Sequence, residues 1–144
     1  MTEHEKKALT VFEERYNCAQ AVFITFAEEL GLDSKTAFKI ATAFGGGMGR
    51  KQEVCGAVTG ALMALGLKHG RGEGEPKEKM DFTYQKTREL IDEFSAIHGS
   101  PRCRDLLGCD LLTVEGQTAF TEKNLRKDCE AYVATACRLL EKYL

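Results

Sequence analysis

The 144-residue sequence predicts an all-α fold, a single-domain bundle of about five to six helices spanning residues 1–144. Three observations carry that prediction. Apolar residues recur at steps of three and four over most of the chain, the spacing of one helix face. Capping residues and helix-ending glycines punctuate these runs. The apolar–polar alternation of a half-buried strand is absent.

From Glu3 to Leu30 the apolar residues Leu9, Phe12, Tyr16, Ala19, Phe23 and Phe26 keep helix spacing. Asn17 interrupts the run and is a good N-cap, which favours two helices with a junction near Tyr16-Asn17 over one long helix. Cys18 then opens the second helix, where free N–H groups and the dipole favour a thiolate; core packing beside Val22 is the competing reading. Gly31 ends this helix, and Asp33 or Ser34 caps the next, which runs to about Phe44 with Ala37, Ile40, Ala41 and Phe44 inward. The loop Gly45-Gly46-Gly47-Met48-Gly49 forces a break, since each glycine costs a helix about 1 kcal/mol. Such a loop can cradle an anion, so Gly46, Gly47 and Arg50 are the candidate cofactor contacts. No Lys-Ser/Thr pair follows and no strand precedes it, so a P-loop is not supported.

A helix from about Lys51 to Leu67 would place Val54, Val58, Ala61 and Leu65 on one stripe with Cys55 beside it. Gly56, Gly60 and Ala64 form a small-residue ridge that lets another helix approach closely or leaves room beside Cys55. The segment from Lys68 to Pro76 reads as an exposed connection with a solvated His69. Beyond it an amphipathic helix carries Met80, Tyr84, Thr87, Ile91, Phe94 and Ile97 inward and ends near His98-Gly99. Ser100-Pro101 then starts a short helix with Cys103 in its first turn. Arg102 and Arg104 flank that cysteine and predict the most favoured thiolate of the chain. Leu106, Leu107, Leu111 and Leu112 surround a turn at Gly108-Cys109-Asp110. The last helix begins near Thr118 or Thr121, with Cys129 on its inward stripe and Cys137 nearer the edge.

Composition excludes some classes. With Lys+Arg at 20 against Asp+Glu at 22 and a net charge of -2, no basic excess argues for nucleic acid. The longest apolar run, Ala57 to Leu67, is too short to span a bilayer, and the charged N-terminal residues lack a secretory signal pattern. The expectation is a cytoplasmic protein without direct membrane insertion. In a reducing compartment the six cysteines then point to catalytic, redox or metal-binding chemistry more than to structural disulfides. The three histidines have no partner set that suggests hydrolase chemistry.

Four parts of the chain carry a family resemblance: Asn17-Cys18-Ala19-Gln20; the glycine loop leading to Cys55-Gly56-Ala57-Val58-Thr59-Gly60; Cys103-Arg104-Asp105-Leu106-Leu107-Gly108; and Cys129 in the final helix. On these the chain resembles the small redox-active proteins named for their C, CGAxxG, C, C pattern. The resemblance implies an all-helical architecture and a redox role in prokaryotes, often beside transport genes. It also implies that Cys18, Cys55, Cys103 and Cys129 are the family cysteines, with Cys109 and Cys137 additional. The same module is similar to part of the split-Soret cytochromes, but the chain has no C-x-x-C-H, which disfavours covalent haem.

Three readings remain open. In the first, a low-pKa thiolate at Cys103 or Cys18 attacks an oxidised partner of unknown identity and Cys55 resolves the mixed disulfide. In the second, Cys18, Cys55, Cys103 and Cys129 hold a metal ion or an iron–sulfur cluster, although no C-x-x-C knuckle is present. His98 could join that set, but a helix-end role on the last carbonyls suits it better. In the third, the glycine-ridged helix is an interaction module, and a homodimer is plausible.

Overall fold

The computed structural model describes residues 1–144 and contains eight right-handed α-helices: α1 (Glu3–Glu13), α2 (Cys18–Ala27), α3 (Ser34–Ala41), α4 (Gly56–His69), α5 (Lys77–His98), α6 (Cys103–Leu107), α7 (Val114–Glu122) and α8 (Leu125–Tyr143). The all-helical class is as expected; the count exceeds five to six. The final helix is broken in two because Asn124 turns left-handed at φ 51 between α7 and α8. A short α6 adds another. The turn Gly45–Met48 is not one of the eight, since Gly46 and Gly47 inside it have positive φ. An isolated antiparallel bridge, Val54 to Arg102, is the sole β contact.

The central helix α2 is largely apolar on every side, the pattern of a fully buried element, and α4 is buried through its first half, Gly56 to Ala61. In α2 every residue from Ala19 to Ala27 is buried. It packs against α1, α3, α4 and α8, and α4 packs in turn on α5 and α8. Phe26, Leu65, Leu90, Phe94 and Leu140 fill the core between them. The α2–α4 contact is close because of the small-residue ridge: a Cβ on Gly60 would stand 2.7 Å from the Ala19 carbonyl oxygen. That ridge is therefore covered from within the chain.

Capping residues set the start of α2. The Asn17 side chain accepts from the Gln20 N–H while Gln20 Oε1 accepts from the Asn17 N–H, a reciprocal capping box. Gln20 also donates to the Phe38 carbonyl, tying the start of α2 to α3. The junction at Asn17 and the cap at Asp33 thus stand where the sequence puts them.

Several faces differ from the periodicity. Ile40, Tyr84, Ile97 and Leu112 are exposed, since α3, α5 and the 110–113 turn present to the core a narrower stripe than their apolar spacing suggests. His69 is half-buried, its ring edge-on to Phe82 at 5.2 Å, and its Nε2 is enclosed without a partner, so it is not solvated. Cys137 is fully buried rather than at a helix edge, because α1 packs across that part of α8.

No helix is long and apolar enough to cross a membrane.

Candidate functional site

The largest departure from the sequence reading concerns Cys55. Residues 50–55 are not helical: Arg50 and Gln52 have φ of 67 and 57, and α4 begins only at Gly56, with Cys55 as its N-cap. The cause is pairing with a distant segment. Cys55 N–H donates to the Pro101 carbonyl, Cys103 N–H to the Glu53 carbonyl, and Arg104 N–H to the Gln52 carbonyl. These bonds outweigh local helix propensity and hold residues 52–55 as a non-helical strap across the start of α6. Cys103 is the first residue of α6, as expected, although the N-cap is Arg102 rather than Ser100.

Gly47 explains why glycine is needed in the preceding loop. Its φ is +63, and an added Cβ would lie 2.7 Å from the Gln52 Cα and 2.8 Å from the Cys103 Cβ. The loop thereby lets the strap and Cys103 approach each other. Gln52 locks the same corner. It is 1 % exposed; its Nε2 donates to the Cys109 carbonyl at 2.8 Å and its Oε1 accepts from Leu111 N–H at 2.8 Å. Nothing in the local sequence distinguishes Gln52 from a solvated polar residue, because all of its partners are long-range.

Cys18, Cys55, Cys103 and Cys129 all line one cavity of about 340 Å³. They come from the start of α2, the N-cap of α4, the start of α6 and the second turn of α8. Gly46, Gly47 and Arg50 line the same cavity. Arg126 and Tyr132 line it too and were missed by motif reasoning; both lie three residues from Cys129, a spacing that puts them on its face of α8. Cys109 and Cys137 are not among the lining residues. His98 is also outside: its Nε2 meets Thr135 Oγ1 at 2.9 Å, and its ring lies 4.9 Å from Tyr132.

The electrostatics reorder the thiols. The Cys18 and Cys129 thiols are close enough to interact with each other. That interaction, helped by the Arg126 charge, holds Cys129 below the ordinary thiol value despite its burial. The same interaction, together with burial and the other cysteines, raises Cys18 well above its ordinary value. The first proton lost from the pair is thus favoured to leave Cys129. Burial pushes Cys55 up to about 12, opposed by the Ala57 and Val58 amides. Burial also pushes Cys103 up to about 11. The expected thiolate at Cys103 is therefore overturned. Arg102 and Arg104 are turned outward, where they pair with Glu53, Asp105 and Asp110. Cys18 stands at a helix start as read, but its thiol is the raised member of the pair.

No three Cys, His, Asp or Glu side chains stand close enough together to hold a metal ion. The four thiols surround the cavity without forming a ready ligand set.

A protein of Archaeoglobus fulgidus (strain ATCC 49558 / DSM 4304 / JCM 9628 / NBRC 100126 / VC-16), described only as "Uncharacterized protein", is 31% identical over 119 residues, which cover 77% of this chain and 79% of the relative. No solved structure matches the chain. The family model described as "Putative redox-active protein (C_GCAxxG_C_C)" matches residues 16–143, a span that holds all four cavity cysteines and both central helices, and the chain belongs to that family.

Proposed function

We propose that the protein carries out dithiol–disulfide exchange in this cavity, with Cys129 as the attacking thiolate and Cys18 as the resolving thiol. The observation that carries the reading is the juxtaposition of Cys18 and Cys129 in the wall of one cavity, which pairs a lowered thiol with a raised one. The thiolate is the nucleophile in exchange, and a second thiol within reach converts a mixed disulfide into an internal one. Cys55 and Cys103 are protonated at neutral pH and form a second tier that can receive the disulfide from the first pair.

Thiolate ligation of a metal or an iron–sulfur cluster is the weaker reading. It is favoured by the convergence of four cysteines on one cavity and opposed by their spacing, which gathers no three ligands together. Anaerobic purification with metal and sulfide analysis, followed by mild oxidation and peptide mapping of alkylated thiols, separates the two. Metal-free protein with a reversible Cys18–Cys129 disulfide is the expected result. Stoichiometric iron or zinc, or a Cys129→Ala variant that exchanges as fast as the parent, overturns it.

A further inference from the structure

The cavity has a charge that dithiol exchange alone does not require. Two arginines, Arg50 and Arg126, line it, and no aspartate or glutamate does. Neither arginine is in an ion pair, whereas Arg102, Arg104 and Arg138 all have carboxylate partners. Arg126 donates to the Phe12 carbonyl and lies over the Phe12 ring at 3.8 Å, contacts that fix its position but leave its charge unbalanced. Arg50 holds a left-handed backbone at φ 67, costly for a residue with a side chain, and follows Gly49 at φ 62. Such strain in a residue lining a cavity accompanies a positioned side chain.

Access to the sulfurs is narrow. Cys55, Cys103 and Cys129 are 4 %, 7 % and 9 % exposed, and half-buried Cys18 opens on the same cavity. Sulfurs so enclosed are more readily reached by a small molecule than by a folded protein thiol. A volume of about 340 Å³ is at the small end of the range for small-molecule sites.

We infer that the partner of these thiols is a small anionic disulfide, with carboxylates flanking its S–S bond, drawn in by Arg50 and Arg126. The inference rests on the dithiol reading above and adds the partner's size and charge. The Cys129 thiolate attacks one sulfur of the small disulfide, whose S–S bond breaks, and half of the molecule leaves as a thiolate. The Cys18 sulfur then attacks Cys129 in the mixed disulfide, and its proton passes to the departing second half. One protein disulfide has formed; the small disulfide has become one thiol and one thiolate.

The test compares reduced protein with three disulfides of similar size: dithiodiglycolate, hydroxyethyl disulfide and cystamine, which are anionic, neutral and cationic. Each rate is divided by that of the same disulfide with free cysteine. The expected order is anionic, neutral, cationic, with about a ten-fold span. That span should shrink with added salt and in Arg50→Gly, which removes the guanidinium and keeps the left-handed backbone easy to adopt. Equal normalised rates, or cystamine fastest, overturn the inference and leave the dithiol reading standing. A second arm needs no exchange: succinate should slow alkylation of Cys129 by neutral iodoacetamide, less so in Arg50→Gly. If no disulfide oxidises the protein the dithiol reading falls, and the succinate arm still decides whether the cavity selects anions; absence of protection overturns that selection.

Discussion

Cys129 owes its chemistry to one neighbour. Burial acts to raise its pKa, as it does for Cys55, Cys103 and Cys137; what reverses the sign is chiefly its interaction with Cys18, aided by the Arg126 charge. The pH–rate profile for iodoacetamide at Cys129 should therefore have its midpoint below that of an ordinary thiol, leaving more thiolate at neutral pH than in an exposed cysteine. Cys18→Ala removes that neighbour, so the midpoint should move up and the rate at pH 7 should fall several-fold. Mass-spectrometric alkylation kinetics check both. The grouping of the four cavity-lining cysteines was legible in Asn17-Cys18-Ala19-Gln20, in Cys55-Gly56-Ala57, in Cys103-Arg104-Asp105 and in the spacing that puts Cys129 inward. Their order of acidity was not. Arg102 and Arg104 are cations beside Cys103 in the sequence, but in space their charge goes to Glu53, Asp105 and Asp110. Sequence adjacency cannot show which way a long side chain turns.

Helix boundaries set by side-chain caps were readable, and those set by distant pairing were not. Asn17, Asp33 and Gly99 mark ends through local hydrogen bonds or a left-handed turn. The start of α4 is delayed to Gly56 by bonds to residues 101–104, about fifty positions away, and the α7–α8 break at Asn124 sits in a run that otherwise keeps helix period. Within α4 the glycines separate into two kinds. Gly60 is pressed on the Ala19 backbone, whereas nothing lies within 4 Å of a Cβ on Gly66. Gly60→Leu should cost about 3 kcal/mol or more through overpacking of the α2–α4 contact. Gly66→Ala should stabilise by up to about 1 kcal/mol, the helix penalty of glycine. Urea unfolding of the two variants against the parent measures the contrast, and equal effects would mean that α2 and α4 do not meet as described.

Across the chain as a whole, the site exists only when the fold does. Its four cysteines come from the ends of four helices, brought to one cavity by a central pair, α2, buried on all sides, and α4, buried through its first half. The all-helical class and the convergence of separated cysteines could be anticipated from period and motif. The cavity could not, because Gln52, Gly47 and the 52–55 strap shape it through long-range contacts.

The pairing of Cys18 with Cys129 spans nearly the entire chain, and joining them would close a loop of roughly 110 residues, for which the lost freedom of the unfolded chain is worth about 4–5 kcal/mol. The oxidised protein should unfold at correspondingly higher urea than the reduced protein, and the shift should vanish in Cys18→Ala. Reciprocity then requires that the fold favour the disulfide by the same free energy with which the disulfide favours the fold. On the proposed exchange the bundle is in that sense a reservoir of reducing power: every kcal/mol of tertiary structure that depends on the contact of these two sulfurs would make the dithiol a stronger electron donor.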